Sequence, residues 1–375
     1  MTWRREVFFL GGFDPRGPAR DHRTCAQAVA DHPVTSAGEQ VRIGPRQRVS
    51  PLLDAWDVHW TQPDGVSVHT RHHVMRWDDI VRAAWPRGWG AAWRDRWVVY
   101  ARAFHHGAFW PIWRFARPAF WLAMLPLLIG LGLGALWATL AGMAVAAGAP
   151  RLVWALALPL WLWTWRQLEV RLDADWLLRL YGFTWRVARD QVPDIQQRID
   201  ALADELVQRA TDGQVRELLV VGHSTGTQLA AMVMARALRK APWLGQRGPQ
   251  VALLTLGHCT PVLAWVRDAG WFRDDLARLA DHPTLTWHDI AAPADWAAFA
   301  RVEPWLTPGR ARLARYSPRF HQTLDAATYQ RLRSHRHEMH QQYLRAPQRA
   351  GGYDPVVWMA GPLTLAERST DSDRP

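Results

Sequence analysis

Short apolar runs at residues 7–10 and 218–221, a largely apolar run at 251–256 and a mixed stretch at 284–290 predict buried strands. A period of two over residues 55–60 and again over 66–70, across the turn Pro63-Asp64-Gly65, predicts an antiparallel hairpin. A period of 3.6 places Ile195, Ile199, Leu202, Leu206 and Ala210 on one face of a helix just ahead of the run at 218–221. Residues 227–240 predict a further helix, and 316–344 read as helices with a His-rich section. Residues 77–104 also read as helical, interrupted at Pro86-Arg87-Gly88. Strands alternating with helices on this scale predict an α/β fold, a mostly parallel sheet with helices on both faces.

One stretch has no such alternation. Residues 118–165 carry a single charge, Arg151. That is too long for one membrane span of about 20 residues and suits two. The predicted spans are 119–140 and 152–165, joined by a small-residue connector at 141–151 that contains Gly142, Gly148 and Pro150. Phe109, Trp110, Trp113, Phe115, Phe120 and Trp121 lead in, and Trp161, Trp163 and Trp165 lead out, as interfacial anchors do. Gly130 and Gly134 form a Gly-x-x-x-Gly pair that lets a partner helix approach. Arg102, Arg114 and Arg117 precede the hairpin and Arg166, Arg171 and Arg179 follow it, which predicts both flanks in the cytoplasm and an integral protein of the bacterial inner membrane. A sheet built from both flanks needs the chain to return to the side it left, and two spans satisfy that. A re-entrant hairpin is the competing reading. The short run at 7–10 meets glycines at once and does not resemble a secretory signal. The chain therefore divides into 1–117, the hairpin 118–166, a main domain 167–366 and a polar tail 367–375.

Composition adds little to this except through tryptophan. The net charge of +11 is carried by arginine, with Lys240 the one lysine, a bias that a GC-rich genome also produces. The 25 tryptophans suit a membrane interface or base stacking. The arginines are scattered and no nucleic-acid motif accompanies them, so the expected partner is anionic lipid and not nucleic acid. Two cysteines, Cys25 and Cys259, exclude a disulfide framework.

The chemistry concentrates at Gly222-His223-Ser224-Thr225-Gly226, between the run at 218–221 and the helix that follows. A sharp strand-to-helix turn with glycine on both sides exposes the serine hydroxyl, and the helix N-terminus offers an amide to an oxyanion. The Gly-rich stretch Gly11-Gly12-Phe13 after the first strand is a candidate for a second oxyanion amide, from Gly12 or Phe13, or else an ordinary turn. Asp14 and Arg16 beside it pair with each other or reach a substrate head group.

Residues 218–227 (LLVVGHSTGT) resemble the serine signature of the α/β-hydrolase superfamily, in particular its lipases and esterases. The resemblance is specific at the elbow and loose elsewhere, covering about the first thirty residues and the region after Asp190. It implies Ser224 as nucleophile, the amide of Thr225 in the oxyanion hole, and an acid and then a histidine later in the chain. By position the acid is Asp295, just past the run at 284–290, with Asp289 inside that run as the competitor. Of His321, His335, His337 and His340, the choice falls on His340, which stands between apolar neighbours. His335, His337 and His340 fit no common zinc spacing, and His223 is held away by its turn. The implied activity is hydrolysis of an ester or thioester, with an acyl lipid as the expected substrate and no cofactor or metal required. An acyltransferase using the same serine, or an inactive scaffold or sensor with the same fold, are the alternatives.

Overall fold

A computed structural model of the chain describes residues 2–33, 38–85, 90, 94, 97–102, 109–172, 176–192, 194–306 and 312–368, with the backbone alone described at 176–178. Nine strands form one mixed sheet. They are β1 (Thr2–Leu10), β2 (Gln40–Ile43), β3 (Gln47–Arg48), β4 (Leu53–Thr61), β5 (Ser67–Met75), β6 (Val215–His223), β7 (Gln250–Leu256), β8 (Thr286–Ile290) and β9 (Arg312–Tyr316). Their order is β2-β4-β5-β1-β6-β7-β8-β9, with β3 also beside β4. From β5 to β9 the pairings are parallel, while β4 runs antiparallel to β5, β2 and β3.

The period-two hairpin is present as β4 and β5, and β5 turns out to be the parallel neighbour of β1. Alternation along a strand divides the core between the two faces. Phe8, Leu10, Leu218, Val220 and Leu253 bury one face, with the helices Ile195–Arg209, Gly226–Lys240 and Gly270–Asp281. Val7, Phe9, Leu219, Val221 and Leu254 bury the other, with Phe320, Leu332, Met339, Tyr343 and Trp358. Helices therefore cover both faces of the sheet.

β1 begins earlier than its apolar run, with Trp3 and Arg5 buried between exposed Thr2 and Arg4. Arg5 pairs with Glu217 of β6 at 2.5 Å, and both side chains are fully buried. The guanidinium also donates to the carbonyls of Met359, Gly361 and Leu363, while Glu217 accepts from the Leu365 amide. β2 and β9 have no apolar signature, since edge strands that stay half exposed need none.

The predicted membrane hairpin needs correction. The helices Arg117–Ala146 and Val153–Leu172 do lie side by side: Trp161 Nε1 donates to the Gly130 carbonyl (2.8 Å) and Trp137 Nε1 to Thr164 Oγ1 (3.0 Å). Among the described residues, however, only Arg117–Ala146 is long and apolar enough to cross a bilayer, with a mean hydropathy of 2.1. The second helix runs on through Arg166, Glu169 and Arg171. Its apolar part, residues 153–165, rises only about 20 Å at ~1.5 Å per residue, against a hydrocarbon core of ~30 Å. The glycines do face the partner helix: a Cβ at Gly130 would run into the Trp165 indole, and one at Gly134 would lie 3.2 Å from Trp161 Nε1, so both seat tryptophan rings of that helix.

The base of the long helix belongs to the domain core. Ala119, Leu122 and Ala123 are buried with Phe109, Tyr100, Tyr181 and Phe183, and Tyr100 donates to the Ala123 carbonyl at 2.9 Å. Beyond it Leu131, Leu136, Leu140 and Met143 are exposed, as are Leu152, Leu156 and Trp163 on the second helix. The predicted break at Pro86-Arg87-Gly88 lies outside the described residues, as does most of the tail.

Candidate active site

β6 lies between β1 and β7, and its end is where the backbone turns sharply. Ser224 has φ of 59°, in the left-handed region that a residue with a Cβ occupies at a cost of ~1–3 kcal/mol. Local bonds hold it there. The Ser224 amide donates to the Leu256 carbonyl at 3.0 Å, and Thr227 returns two bonds to the Ser224 carbonyl, from its amide (3.0 Å) and its hydroxyl (2.6 Å). The flanking glycines are steric necessities. A Cβ on Gly222 would lie 2.6 Å from Thr227 Cα, and one on Gly226 would run into the Leu10 carbonyl oxygen.

The end of β1 comes up against this turn. A Cβ on Gly12 would sit 3.0 Å from Ser224 Cβ and 3.3 Å from its Oγ, so a side chain here would cover the hydroxyl. Among the described residues the amides of Gly12, Phe13 and Thr225 find no acceptor. The Phe13 ring packs on Phe183 (4.8 Å between centroids), Trp85 (5.6 Å) and Trp77 (6.2 Å).

His340 lies on the helix Arg336–Gln341 and is buried. Its Nδ1 is 2.7 Å from Asp295 Oδ2. A carboxylate only accepts, so Nδ1 carries a proton, and in the neutral ring Nε2 is left with a lone pair. Asp295 occupies a turn just past β8 that closes through its own amide on the Ala292 carbonyl (3.0 Å), and its Oδ1 accepts from the Ala297 amide (3.0 Å). Asp289 is elsewhere. It accepts from Thr255 Oγ1 at 2.7 Å and faces His258 Nε2 at 3.7 Å, and its burial raises its pKa. Of the two carboxylates the sequence leaves open, the fold brings Asp295 to His340.

Burial, reinforced by the neighbouring His340, holds the pKa of His223 well below 6.5, so the ring stays neutral. Its Nε2 donates to the His340 carbonyl at 2.8 Å, which ties the histidine helix to the serine turn. The other histidines diverge: His335 Nδ1 bonds the Arg331 carbonyl (2.9 Å), His321 lies near Tyr329, and His337 lines the cavity described next.

Ser224, His340, Gly12 and Phe13 face one cavity of about 320 Å³. One wall is apolar, from Phe13, Trp77, Trp85 and Leu180, and another is charged, from Asp14, Arg16, Arg20, Asp21 and Arg76. Asp14 and Arg16 pair with each other at 2.6 Å. Leu180 belongs to the helix Trp176–Ala188, which packs on the base of the long apolar helix, so this wall is continuous with that helix.

Several residues here have no distinct signal in the sequence. Tyr343 packs beside His340, accepts from the Ala292 amide at 2.8 Å, and has its pKa raised well above 10 by burial and then by the charge of Asp295. Its spacing of three from His340 on a helical turn is the clue that was available. Gly257, at φ of 53°, makes room for the Tyr343 ring, whose Cε2 would be 2.6 Å from a Cβ. Arg20, Asp21 and Gln341 reach the cavity from surface-like stretches of sequence. No family model, curated protein or solved structure matches the chain.

Proposed function

We propose that this chain is a serine hydrolase of the α/β-hydrolase type, cleaving an ester or thioester through an acyl-enzyme on Ser224. The observation that carries the reading is the 2.7 Å bond from His340 to the buried Asp295, with His340 lining the same cavity as Ser224 at its strained φ. His340 Nε2 takes the hydroxyl proton as Ser224 Oγ attacks the carbonyl carbon. The amides of Thr225 and of Gly12 or Phe13 stabilise the oxyanion. The intermediate expels the alcohol or thiol, which receives the proton from His340. Water, deprotonated by the same nitrogen, then releases the acid and restores the serine. Asp295 keeps the ring in the required tautomer and stabilises the imidazolium.

The exposed apolar helices are, in this reading, the membrane attachment. Both ends of the pair lead into one sheet, so the pair enters and leaves the bilayer on the same side, the cytoplasmic one by its arginines. An amphiphilic acyl ester is the substrate class that suits a cavity with an apolar wall of Phe13, Trp77, Trp85 and Leu180.

A fluorophosphonate probe on the detergent-solubilised full chain tests the chemistry. Wild type is expected to be labelled and Ser224→Ala is not; labelling that persists in Ser224→Ala, or none in wild type, sinks the proposal. A reporter at Gly148 tests how far the pair crosses: exposure outside the cytoplasm means a full crossing, and exposure to the cytoplasm means a pair seated in one face of the bilayer.

A further inference from the structure

The charged wall of the cavity has a composition that a purely hydrocarbon substrate does not need. Asp14 accepts from Arg16 at 2.6 Å and forms an ion pair with Arg20 at 3.1 Å, so two guanidiniums share one carboxylate. Arg20 is mostly buried and its other nitrogen donates to Gln341 Oε1 at 2.7 Å. Gln341 is the residue after His340, which fixes this guanidinium beside the histidine. Next along the chain, Asp21 lies under the oxyanion loop. Its carboxylate oxygens are 3.8 and 3.9 Å from the position of a Cβ on Gly11, one residue before the glycine that touches Ser224. No described residue hydrogen-bonds the Asp21 carboxyl, which faces the cavity.

We propose that Arg20 and Asp21 form a subsite for an anionic group, phosphate or carboxylate, on the alcohol portion of the substrate, Arg20 supplying charge and Asp21 a hydrogen bond. The inference rests on the hydrolase reading above. A guanidinium backed by a carboxylate and an amide is held in a fixed orientation, which favours directed bonds to oxyanions. The apolar wall at Trp85 and Leu180 takes the acyl side, so the two walls orient an amphiphile with its ester at Ser224.

The protonation of Asp21 agrees with that role. Burial raises its pKa to about 7, with Arg20 and Arg16 opposing the rise and Asp14 and Asp78 adding to it. The titratable groups on its other sides stay neutral: burial lifts the Cys25 thiol to about 12 and lowers His72 to about 3. Below its pKa Asp21 donates to an oxyanion; above it the carboxylate repels one. Preference for an anionic substrate is therefore expected to fall as pH rises through that value.

The test uses the full chain in detergent and esters with one acyl group but three alcohols, ending in phosphate, hydroxyl or trimethylammonium. The readout is the ratio of kcat/KM for the phosphate ester to that for the hydroxyl ester, which cancels any loss of folded protein. At about pH 6 wild type is expected to favour phosphate by ~10-fold or more, and Arg20→Gln to bring the ratio near one. At about pH 8.5 wild type is expected to lose most of the preference and Asp21→Asn to keep it. An acyl glycerophosphate in micelles, run alongside, assigns the anion to a lipid head group if it outperforms the soluble ester, and to a soluble substrate if it does not. Equal turnover of all three esters, or preference for trimethylammonium, overturns the subsite while leaving Ser224 chemistry intact. Absence of both turnover and Ser224 labelling overturns the hydrolase reading on which it stands.

Discussion

Replacing Asp295 by asparagine separates the two carboxylates that the sequence left in competition. In the structure His340 Nδ1 is 2.7 Å from Asp295 Oδ2, within a buried pair. When His340 takes the serine proton, the resulting imidazolium faces that carboxylate. Two unit charges about 4 Å apart attract by ~4 kcal/mol at an effective dielectric of ~20. Losing that attraction corresponds to roughly a thousandfold in rate. An amide can also turn its NH2 toward Nδ1, forcing the proton onto Nε2 and removing the base altogether. The combined expectation for Asp295→Asn is a fall in ester turnover of ~10³–10⁴-fold. Asp289→Asn is the control. Its carboxyl serves Thr255 and lies near His258, and an amide oxygen accepts the Thr255 bond equally well. Turnover within ~10-fold of wild type is expected there, with a stability change of about 1 kcal/mol. Both are measured as initial rates of ester hydrolysis and as rates of fluorophosphonate labelling, against Ser224→Ala as background. A loss in Asp289→Asn as large as that in Asp295→Asn, or more than a tenth of the rate surviving in Asp295→Asn, refutes the reasoning.

Three further outcomes follow from individual contacts. Gly226→Ala drives a methyl into the Leu10 carbonyl and to within 2.6 Å of the Gly11 carbonyl, neither of which can rotate away. It is expected to lose ~1–3 kcal/mol or more and most Ser224 labelling, so an unchanged melting temperature with normal labelling contradicts the elbow geometry. Glu217→Gln leaves Arg5 as an uncompensated buried charge and is expected to cost ~3–5 kcal/mol in denaturant unfolding. A cost under about 1 kcal/mol means the pair does not hold the C-terminal segment. His32 is half of a buried pair with Asp354, at 2.7 Å. Burial alone lowers its pKa, but the Asp354 bond and the charges of Asp354 and Glu39 outweigh it and raise the value above 6.5. Its contribution to stability is therefore complete below about pH 6.5 and is lost as pH rises through the folded-state value. Asp354→Asn should flatten that part of a melting-temperature profile, and an unaltered slope assigns the effect to another group.

The sequence by itself determined those features whose causes are local. Val7 to Leu10 and residues 218–221 had to be strands because every side chain there is apolar, and the glycines around Ser224 had to form a tight turn because no larger residue fits. Ser224 was named by the strand and glycines around it, whereas Asp295 and His340 were only preferred candidates, the acid by its position after the strand and the histidine by its apolar neighbours. What it left open were relations between distant segments. Asp289 and Asp295 are both acidic and six positions apart. Only the closure of the turn after β8, and the tie from His223 to the His340 carbonyl, decided which one meets the histidine. The apolar stretch likewise fixed two helices but not their reach, since the second continues into Arg166, Glu169 and Arg171 without a helix-breaking residue. Arg20, Asp21 and Tyr343 had no distinct local signal because a charged or aromatic residue on an amphipathic helix looks alike whether it meets water or a cavity. Local pattern records the environment of one segment at a time, whereas a site is an agreement among segments that only the packed sheet brings together.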